Sequence, residues 1–334
     1  MLLLTGATGY LGSGIARELI ARREPFRVLV RNPKRLGFDP EACHCQVAMG
    51  DLRDRAALTA ALKGIDEVIH TAALVKMWVP DRDDFWRVNG EGLQNLMHAA
   101  RQAGVRRVVY TSSFLALGPS SDSNAGEQLS HPGPFSDAYE ESKARALEWV
   151  RREGRRLAPI IVMLPGVIYG PGPKTEGNLM GGMIDQYLAG RFPGLLGSGK
   201  QRWSFAYNAG VVSAHLAALE KGKPGEEYVL GGDNRSLNEF FDLLAGYTHV
   251  RNPVRHLPFA FGKVAGAWEL LRARAFGHTP QLTPGVVEIF KHDWVYSSAK
   301  AMNELGYSIP PLEEGLRLTL KDREIGRSGD REIG

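Results

Sequence analysis

The run Leu2-Leu3-Leu4-Thr5-Gly6-Ala7-Thr8-Gly9-Tyr10-Leu11-Gly12 opens the chain and decides its fold. The three leucines read as a short buried strand, and the stretch 11–22 reads as a helix. Between them, three glycines have separate tasks. Gly6 permits the tight turn out of the strand. Gly9 lets the backbone approach a pyrophosphate where a Cβ would collide, and Gly12 lets the helix pack closely on the strand. The helix N-terminus adds unpaired amides and a partial positive charge that suit an anion. Thr5, Gly6, Thr8, Gly9, Tyr10, Leu11 and Gly12 are therefore expected to hold a dinucleotide.

Outward from this loop the chain alternates. Strands are expected at 26–30, 45–48, 67–70, 105–111 and 160–164, with helices at 56–62, 85–103 (closed by Gly104) and 138–152. Short apolar strands alternating with helices make an α/β fold, a Rossmann-type doubly wound parallel sheet covered on both faces. After Pro165 the texture changes. Gly and Pro cluster at 165–173 and 190–199, and isolated helices are expected at 179–188, 209–220, 237–247 and 259–273. This predicts a nucleotide-binding domain over 1–165 and a smaller C-terminal α/β substrate lobe over 166–334, with segments near 203–230 returning to the first domain. The pentapeptide DREIG, at 322–326 and again at 330–334, reads as a polar, frayed tail.

Composition excludes several classes of function. A chain of 334 residues holds roughly two domains of about 150. Its 43% hydrophobic and 23% charged residues are incompatible with a disordered chain. The 41 basic and 37 acidic residues leave a net charge of only +4, evenly spread, which argues against nucleic acid as a partner. Cys43 and Cys45 sit one residue apart and make no disulfide framework, and no Cys/His pairs lie at zinc spacing. No metal site is expected, and His215, His249, His256 and His292 read as structural. The N-terminal apolar run is too short for a signal peptide, and no stretch of about 18 apolar residues exists. A soluble, cytoplasmic protein is expected. The apolar, aromatic segment 258–271 reads as packing against the second lobe, ahead of a lid or a helix resting on a membrane surface.

The end of the second strand should meet the adenosine ribose, where an acid favours NAD. The sequence there is Val30-Arg31-Asn32-Pro33-Lys34-Arg35. Arg31, with Lys34 or Arg35, suits a 2′-phosphate, so NADP is favoured and NAD is the alternative. Asp51 and Leu52 are placed to contact the adenine, and Thr71, Ala72 and Ala73 are small enough for close approach. Tyr139 and Lys143, four apart, share one helix face. Ser112 and Ser113 end the fifth strand at the carboxyl edge where such sheets bind ligands. A free tyrosine, with a pKa of about 10, is a poor base at neutral pH. A nearby ammonium lowers that value. Tyr139 then exchanges a proton with a substrate oxygen held by Ser113, while Lys143 tunes it.

The motifs TGATGYLG (5–12), GDLRD (50–54), HTAA (70–73), VNGEGLQNL (88–96), YTSS (110–113), YEESK (139–143) and LPGVIYGPG (164–172) follow one another in order. On these the chain resembles an extended short-chain dehydrogenase/reductase. AALVKMW (72–78), YTSSFLALG (110–118) and SSAKAMNELGY (297–307) are most similar to the dihydroflavonol-reductase-like branch, particularly its farnesol-dehydrogenase-like members. The resemblance implies a catalytic role for Ser113, Tyr139 and Lys143, the last also binding the nicotinamide ribose. It implies a structural role for Asn89 in a proton relay and places Pro165, Gly166 and Val167 along the nicotinamide. It also implies a homodimer through helices 85–103 and 137–152.

One departure separates the chain from the nucleotide-sugar epimerases of that family. Where they carry an arginine and two aspartates, this chain has Trp203, Ala209 and Gly210, which puts the capping of the next helix in doubt. Leu74, Met77, Trp78, Phe114, Tyr169, Leu179, Met183 and Trp203 are expected to line an apolar pocket. The leading expectation is hydride transfer between nicotinamide and a hydrophobic alcohol or ketone of isoprenoid, aromatic or sterol-like type. A sugar epimerase or dehydratase with retained NAD and a non-catalytic NADP-sensing module are the alternatives.

Overall fold

The computed structural model describes residues 1–248, 250 and 255–329. In chain order the first half runs β1 (Leu2–Thr5), α1 (Tyr10–Ala21), β2 (Phe26–Val30), β3 (Cys45–Met49), α2 (Arg55–Ala61) and β4 (Glu67–His70). It continues through α3 (Asp84–Trp86), α4 (Gly92–Ala103), β5 (Arg107–Thr111), α5 (Ala138–Arg152) and β6 (Ile160–Pro165). The second half holds β7 (Val167–Tyr169), α6 (Leu179–Leu188), β8 (Leu195–Leu196), β9 (Arg202–Tyr207), α7 (Asn208–Lys221), β10 (Glu227–Leu230) and β11 (Asp233–Ser236). Then come α8 (Leu237–Thr248), β12 (His256–Leu257), α9 (Phe259–Phe276), α10 (Pro284–Ile289), α11 (Ala299–Leu305) and α12 (Leu312–Gly329).

Seven strands form one sheet in the order β10-β6-β5-β4-β1-β2-β3, with every pair parallel. This is the doubly wound α/β fold that the alternation predicts. Its inner strands β1, β4, β5 and β6 are largely apolar and buried because both faces are covered, while the edge strand β3 is mostly exposed. Leu4, Val28, Val109, Ile161 and Met163 pack under α1, α7 and α11. Leu3, Val108, Ile160 and Val162 pack under α2, α4 and α5. Fully buried side chains of this kind contribute about 1.5–3 kcal/mol each. The order reverses between β1 and β4, and there the connections diverge and leave a crevice at the carboxyl ends.

The helix expected over 85–103 is interrupted. A π turn over Arg87–Glu91 separates α3 from α4 and turns Asn89 inward, where it is buried. Gly90 is required there, since a Cβ would come within 2.3 Å of the Trp86 ring. Gly104 closes α4 in the left-handed conformation at φ 70°.

A three-stranded sheet, β11-β9-β7, lies beyond the carboxyl edge, and β8 pairs with β12. α7 begins without a side-chain cap, consistent with the loss of the aspartates. The first DREIG copy does not fray. It lies in α12, where Arg323 Nε donates to Asp185 Oδ1 at 2.8 Å and Nη2 to the Gly181 carbonyl at 3.1 Å. Leu312, Leu316 and Thr319 bury the inner face of that helix, a periodicity the polar tail conceals. The second copy, like His249, lies outside the described residues.

Candidate active site

The loop between β1 and α1 is set by contacts that only hydrogen allows. Gly6 has φ 83°, and a Cβ on it would lie 2.5 Å from Thr71 Oγ1 and 2.7 Å from the Ala72 nitrogen. A Cβ on Gly12 would lie 2.1 Å from the Gly6 carbonyl oxygen, so Gly12 packs against the turn itself. Gly9 differs: its Cβ would approach only the Gly6 carbonyl, at 3.3 Å, leaving its outer side clear. Gly9 is also the N-cap of α1 and offers no side-chain oxygen to the first-turn amides. This cradle fits a pyrophosphate.

The loop residues divide by side chain and backbone. Thr5 is buried, its Oγ1 hydrogen-bonded to His70 Nδ1 at 2.7 Å. Tyr10 turns away from the loop, and its hydroxyl donates to the Gly170 carbonyl at 2.9 Å, tying α1 to the segment after β7. Only its backbone faces the cradle. Thr71 Oγ1 donates to the Thr5 carbonyl at 2.8 Å, fixing the end of β4 beside the turn, with Ala72 and Ala73 next in line.

At the far end of the crevice, Asp51 accepts from Arg53 Nε at 2.9 Å and Nη2 at 3.1 Å, which holds its carboxyl below the usual range. Arg31 stands 3.9 Å from Asp51 with its side chain 73% exposed. Its guanidinium therefore projects from the end of β2 with little protein around it. Lys34 and Arg35 follow in a short turn capped by Asn32, and Leu52 is buried against Gly92.

Lys143 is buried at 3% exposure. Its Nζ donates to the Thr111 carbonyl at 3.1 Å and lies 5.5 Å from the centre of the Tyr110 ring. Burial lowers its pKa to about 8. Two of its three donors find no acceptor among the described residues, which suits the hydroxyls of a ribose. Tyr139 is partly buried one turn earlier on α5, with its ring edge-on to Phe85. Here the structure corrects an expectation. The phenol is raised rather than lowered, first by burial and then by the Asp137 carboxylate, and Ser113 alone opposes this through a hydrogen bond. The ammonium spends one donor on the Thr111 carbonyl and does not offset the effect of burial on the phenol.

Asn89 links two elements of the site. Its Oδ1 accepts from the Leu74 amide at 2.7 Å, and its Nδ2 donates to the Leu74 carbonyl at 3.2 Å and to Ser142 Oγ at 2.9 Å. Ser142 in turn donates to the Tyr139 carbonyl at 2.7 Å. The loop after β4 and the helix bearing Tyr139 are thus held together. Gly166 sits where a Cβ would lie 2.4 Å from the Ser204 carbonyl oxygen, which fixes Pro165 and Val167 between the two sheets.

Sequence reading missed three supports, and for a fourth, His215, it gave a structural role without its partner. His70 stacks on Tyr110 at 5.6 Å, and burial, with help from Lys143, pushes it down to about 3, so it is neutral. His215 Nδ1 donates to the Val211 carbonyl, so its Nε2 accepts from Thr111 Oγ1 at 2.8 Å, bracing the strand end that holds Lys143. Glu140 and His131 form a buried pair at 3.1 Å behind α5, and Asp137 caps that helix by accepting from the Glu140 amide at 2.8 Å. A polar residue at the inward end of an apolar strand, as in Glu67-Val68-Ile69-His70, is the available signal for the first.

The expected pocket lining divides in two. Leu74, Met77, Trp78 and Leu179 are partly exposed beside the crevice. Lys76 pairs with Glu176 at 3.2 Å and brings the loop after β4 against the loop before α6. Trp203 and Tyr169 are instead core residues, at 2% and 0% exposure. Trp203 packs on Phe290 at 4.7 Å, and Tyr169 on Phe205 at 6.4 Å and Phe240 at 6.4 Å. Trp203 lies on the central strand of the second sheet and Tyr169 on its edge strand β7, and both are covered by other aromatic side chains, so neither forms a wall open to solvent. Met183 is also buried, and Phe114, at 9% exposure, sits at the junction of the lobes against Trp294 and Tyr296.

Crevice, glycine cradle and the Ser-Tyr-Lys group together define an oxidoreductase of the short-chain dehydrogenase/reductase type. The family model described as "NAD dependent epimerase/dehydratase family" matches residues 2–231, and the chain belongs to this family. Among its relatives is "Sterol demethylase protein B" of Methylococcus capsulatus, 32% identical over 91% of this chain and 92% of that protein. Another is "3 beta-hydroxysteroid dehydrogenase/Delta 5-->4-isomerase" of Mycobacterium tuberculosis, 30% identical over 91% of this chain and 85% of the relative. The crystal structure of gox2253 superposes with a TM-score of 0.79 at 34% identity, covering 98% of this chain and 99% of that one.

Proposed function

We propose that this protein is an NADP-preferring dehydrogenase/reductase that moves a hydride between nicotinamide and an apolar secondary alcohol or ketone, with Tyr139 as general acid/base. One observation carries the reading: a buried ammonium with unfilled donors, Lys143, stands on the same helix face as Tyr139, beside Ser113 and at the carboxyl edge of the sheet. When bound, the nicotinamide supplies the hydride acceptor or donor. Ser113 holds the substrate oxygen. In the oxidative direction Tyr139 takes the hydroxyl proton as the carbinol hydrogen leaves with its electron pair. Exposed Arg31 supports NADP, as a guanidinium suited to a 2′-phosphate. The partly exposed Leu74, Met77, Trp78 and Leu179 support an apolar substrate, as do the sterol and steroid names of two relatives.

The diphosphate-gripping reading loses support at β9. Trp203 is buried there, and Arg202 is engaged, its amide donating to Asp293 Oδ1 at 2.8 Å and its Nη2 to the Ser121 carbonyl at 2.9 Å.

The test follows reduced-nicotinamide absorbance with NADP or NAD and a panel of farnesol, aromatic alcohols and sterols, with Tyr139→Phe in parallel. The expected result is turnover with an apolar alcohol, reduced roughly 10²–10⁴-fold in Tyr139→Phe while cofactor affinity is kept. Faster turnover of a nucleotide sugar than of every apolar alcohol overturns the reading, as does full activity of the variant.

A further inference from the structure

Helix α9 reverses the ordinary pattern of a surface helix, which buries its large apolar residues and exposes polar ones. Its buried residues are small: Gly262, Gly266 and Ala273. A Cβ on Gly266 would lie 2.8 Å from the Thr283 backbone, and one on Gly262 would lie 2.6 Å from Leu196. The helix is pressed onto α10 by its glycines. Its large side chains stand outside, with Phe261 58%, Val264 72%, Trp268 61% and Leu271 58% exposed. At 3.6 residues per turn these four fall within an arc of about 80°.

The stripe is bordered by bases. Lys263 and Arg274 flank it on one side and Arg272 on the other. Lys263 pairs with Glu288 and Arg272 with Glu269, both at 3.1 Å, but the bases remain in excess. From residue 255 to residue 292 there are five Lys or Arg against two Glu, +3 within a chain whose whole net charge is +4.

We infer that α9 docks this protein on an anionic lipid surface, lying in the plane of the interface. The apolar stripe enters the boundary between headgroups and acyl chains, and the flanking bases meet the phosphates. The 18 residues of α9 give a footprint of about 27 Å along that plane. A second copy on the same face is disfavoured, because a twofold contact sets these bases against their own equivalents. Among the described residues no helix is long and apolar enough to cross a membrane, so the contact is one of surface and not of span. The inference stands on this helix alone and holds whatever the substrate.

Co-sedimentation of the full chain with vesicles tests it. One set is phosphatidylcholine alone, and the other contains phosphatidylglycerol as a third of the lipid. Wild type is expected to pellet with the anionic set at least about tenfold more strongly than with the neutral set, and high salt should release it. A Val264→Glu/Leu271→Glu variant, with its circular dichroism unchanged, should lose the binding. Lys263→Glu/Arg274→Glu leaves the apolar stripe untouched and should lose the preference for anionic lipid. Failure of wild type to pellet with either set overturns the inference, as does equal pelleting of wild type and the charge variant. A lipid-independent dimer that the apolar variant splits also overturns it and assigns the face to a second copy.

Discussion

Replacing Lys143 with methionine separates the folding cost of this ammonium from its use. Burial holds Lys143 at about 8, against an ordinary 10.5. At 1.36 kcal/mol per unit, the difference amounts to about 3 kcal/mol. Below pH 8 the amine is protonated in both folded and unfolded chains, and the folded state carries the whole penalty. Above pH 8 the folded protein releases the proton while the unfolded chain keeps it to 10.5. The penalty therefore fades across that window, and wild type gains stability relative to Lys143→Met as pH rises. Against this stand the bond to the Thr111 carbonyl and the contact with the Tyr110 ring, worth roughly 1 kcal/mol each. Lys143→Met should thus be more stable than wild type by about 1 kcal/mol at pH 7 and less stable by about 0.5 kcal/mol at pH 10.5, where the neutral amine keeps the hydrogen bond but not the cation–π contact. Burial also raises Tyr110 and Tyr139, which lowers stability above about pH 10, but both proteins share this and it leaves the difference unchanged. Urea unfolding of both proteins at pH 7, 9 and 10.5, followed by circular dichroism, reads the effect. Turnover should fall by at least about 10²-fold at every pH. A stability difference that stays constant from pH 7 to 10.5 would refute the reasoning.

Two further outcomes follow from other parts of the molecule. Arg31→Ala removes a 73% exposed guanidinium at the end of β2, and titration should show NADP affinity reduced about tenfold with NAD affinity unchanged; equal losses for both cofactors would place Arg31 away from the 2′ position. Glu227 is buried between Arg151 at 2.7 Å and Arg155 at 2.6 Å, so Glu227→Gln strands two partly covered cations and should lower unfolding free energy by about 2 kcal/mol in a denaturant titration.

The doubly wound sheet was legible because its signals are local. Apolar runs of four to six residues, glycine punctuation and helical periodicity recur along the first half, and each reflects burial of one strand or one helix face. The glycine loop was legible for the same reason: Gly6 and Gly12 are required by atoms only a few residues away or on the adjoining strand. Tyr139 and Lys143 share a helix face, so their pairing could be read from a spacing of four. The state of that pair could not. The raised phenol of Tyr139 depends on burial and on Asp137, and the lowered ammonium depends on burial, opposed by Thr111 and Tyr110, contacts that cross from α5 to the end of β5.

Trp203 and Tyr169 show why an apolar residue near a site is ambiguous in sequence. The same composition serves a pocket wall or a core, and which one it becomes depends on whether a second layer covers the strand. Helix α9 presents the opposite case, an apolar stretch that reads as packing until its neighbours prove to be glycine-tight on the other face. The order of strands and helices, the glycine turn after β1 and the shared helix face of Tyr139 and Lys143 were readable from the chain, because each is encoded within one or two elements. Which aromatic residues are core, what holds Lys143 and Asn89, and which face of α9 meets the outside emerged with the three-dimensional packing, because burial and electrostatic environment are set by residues distant in the chain.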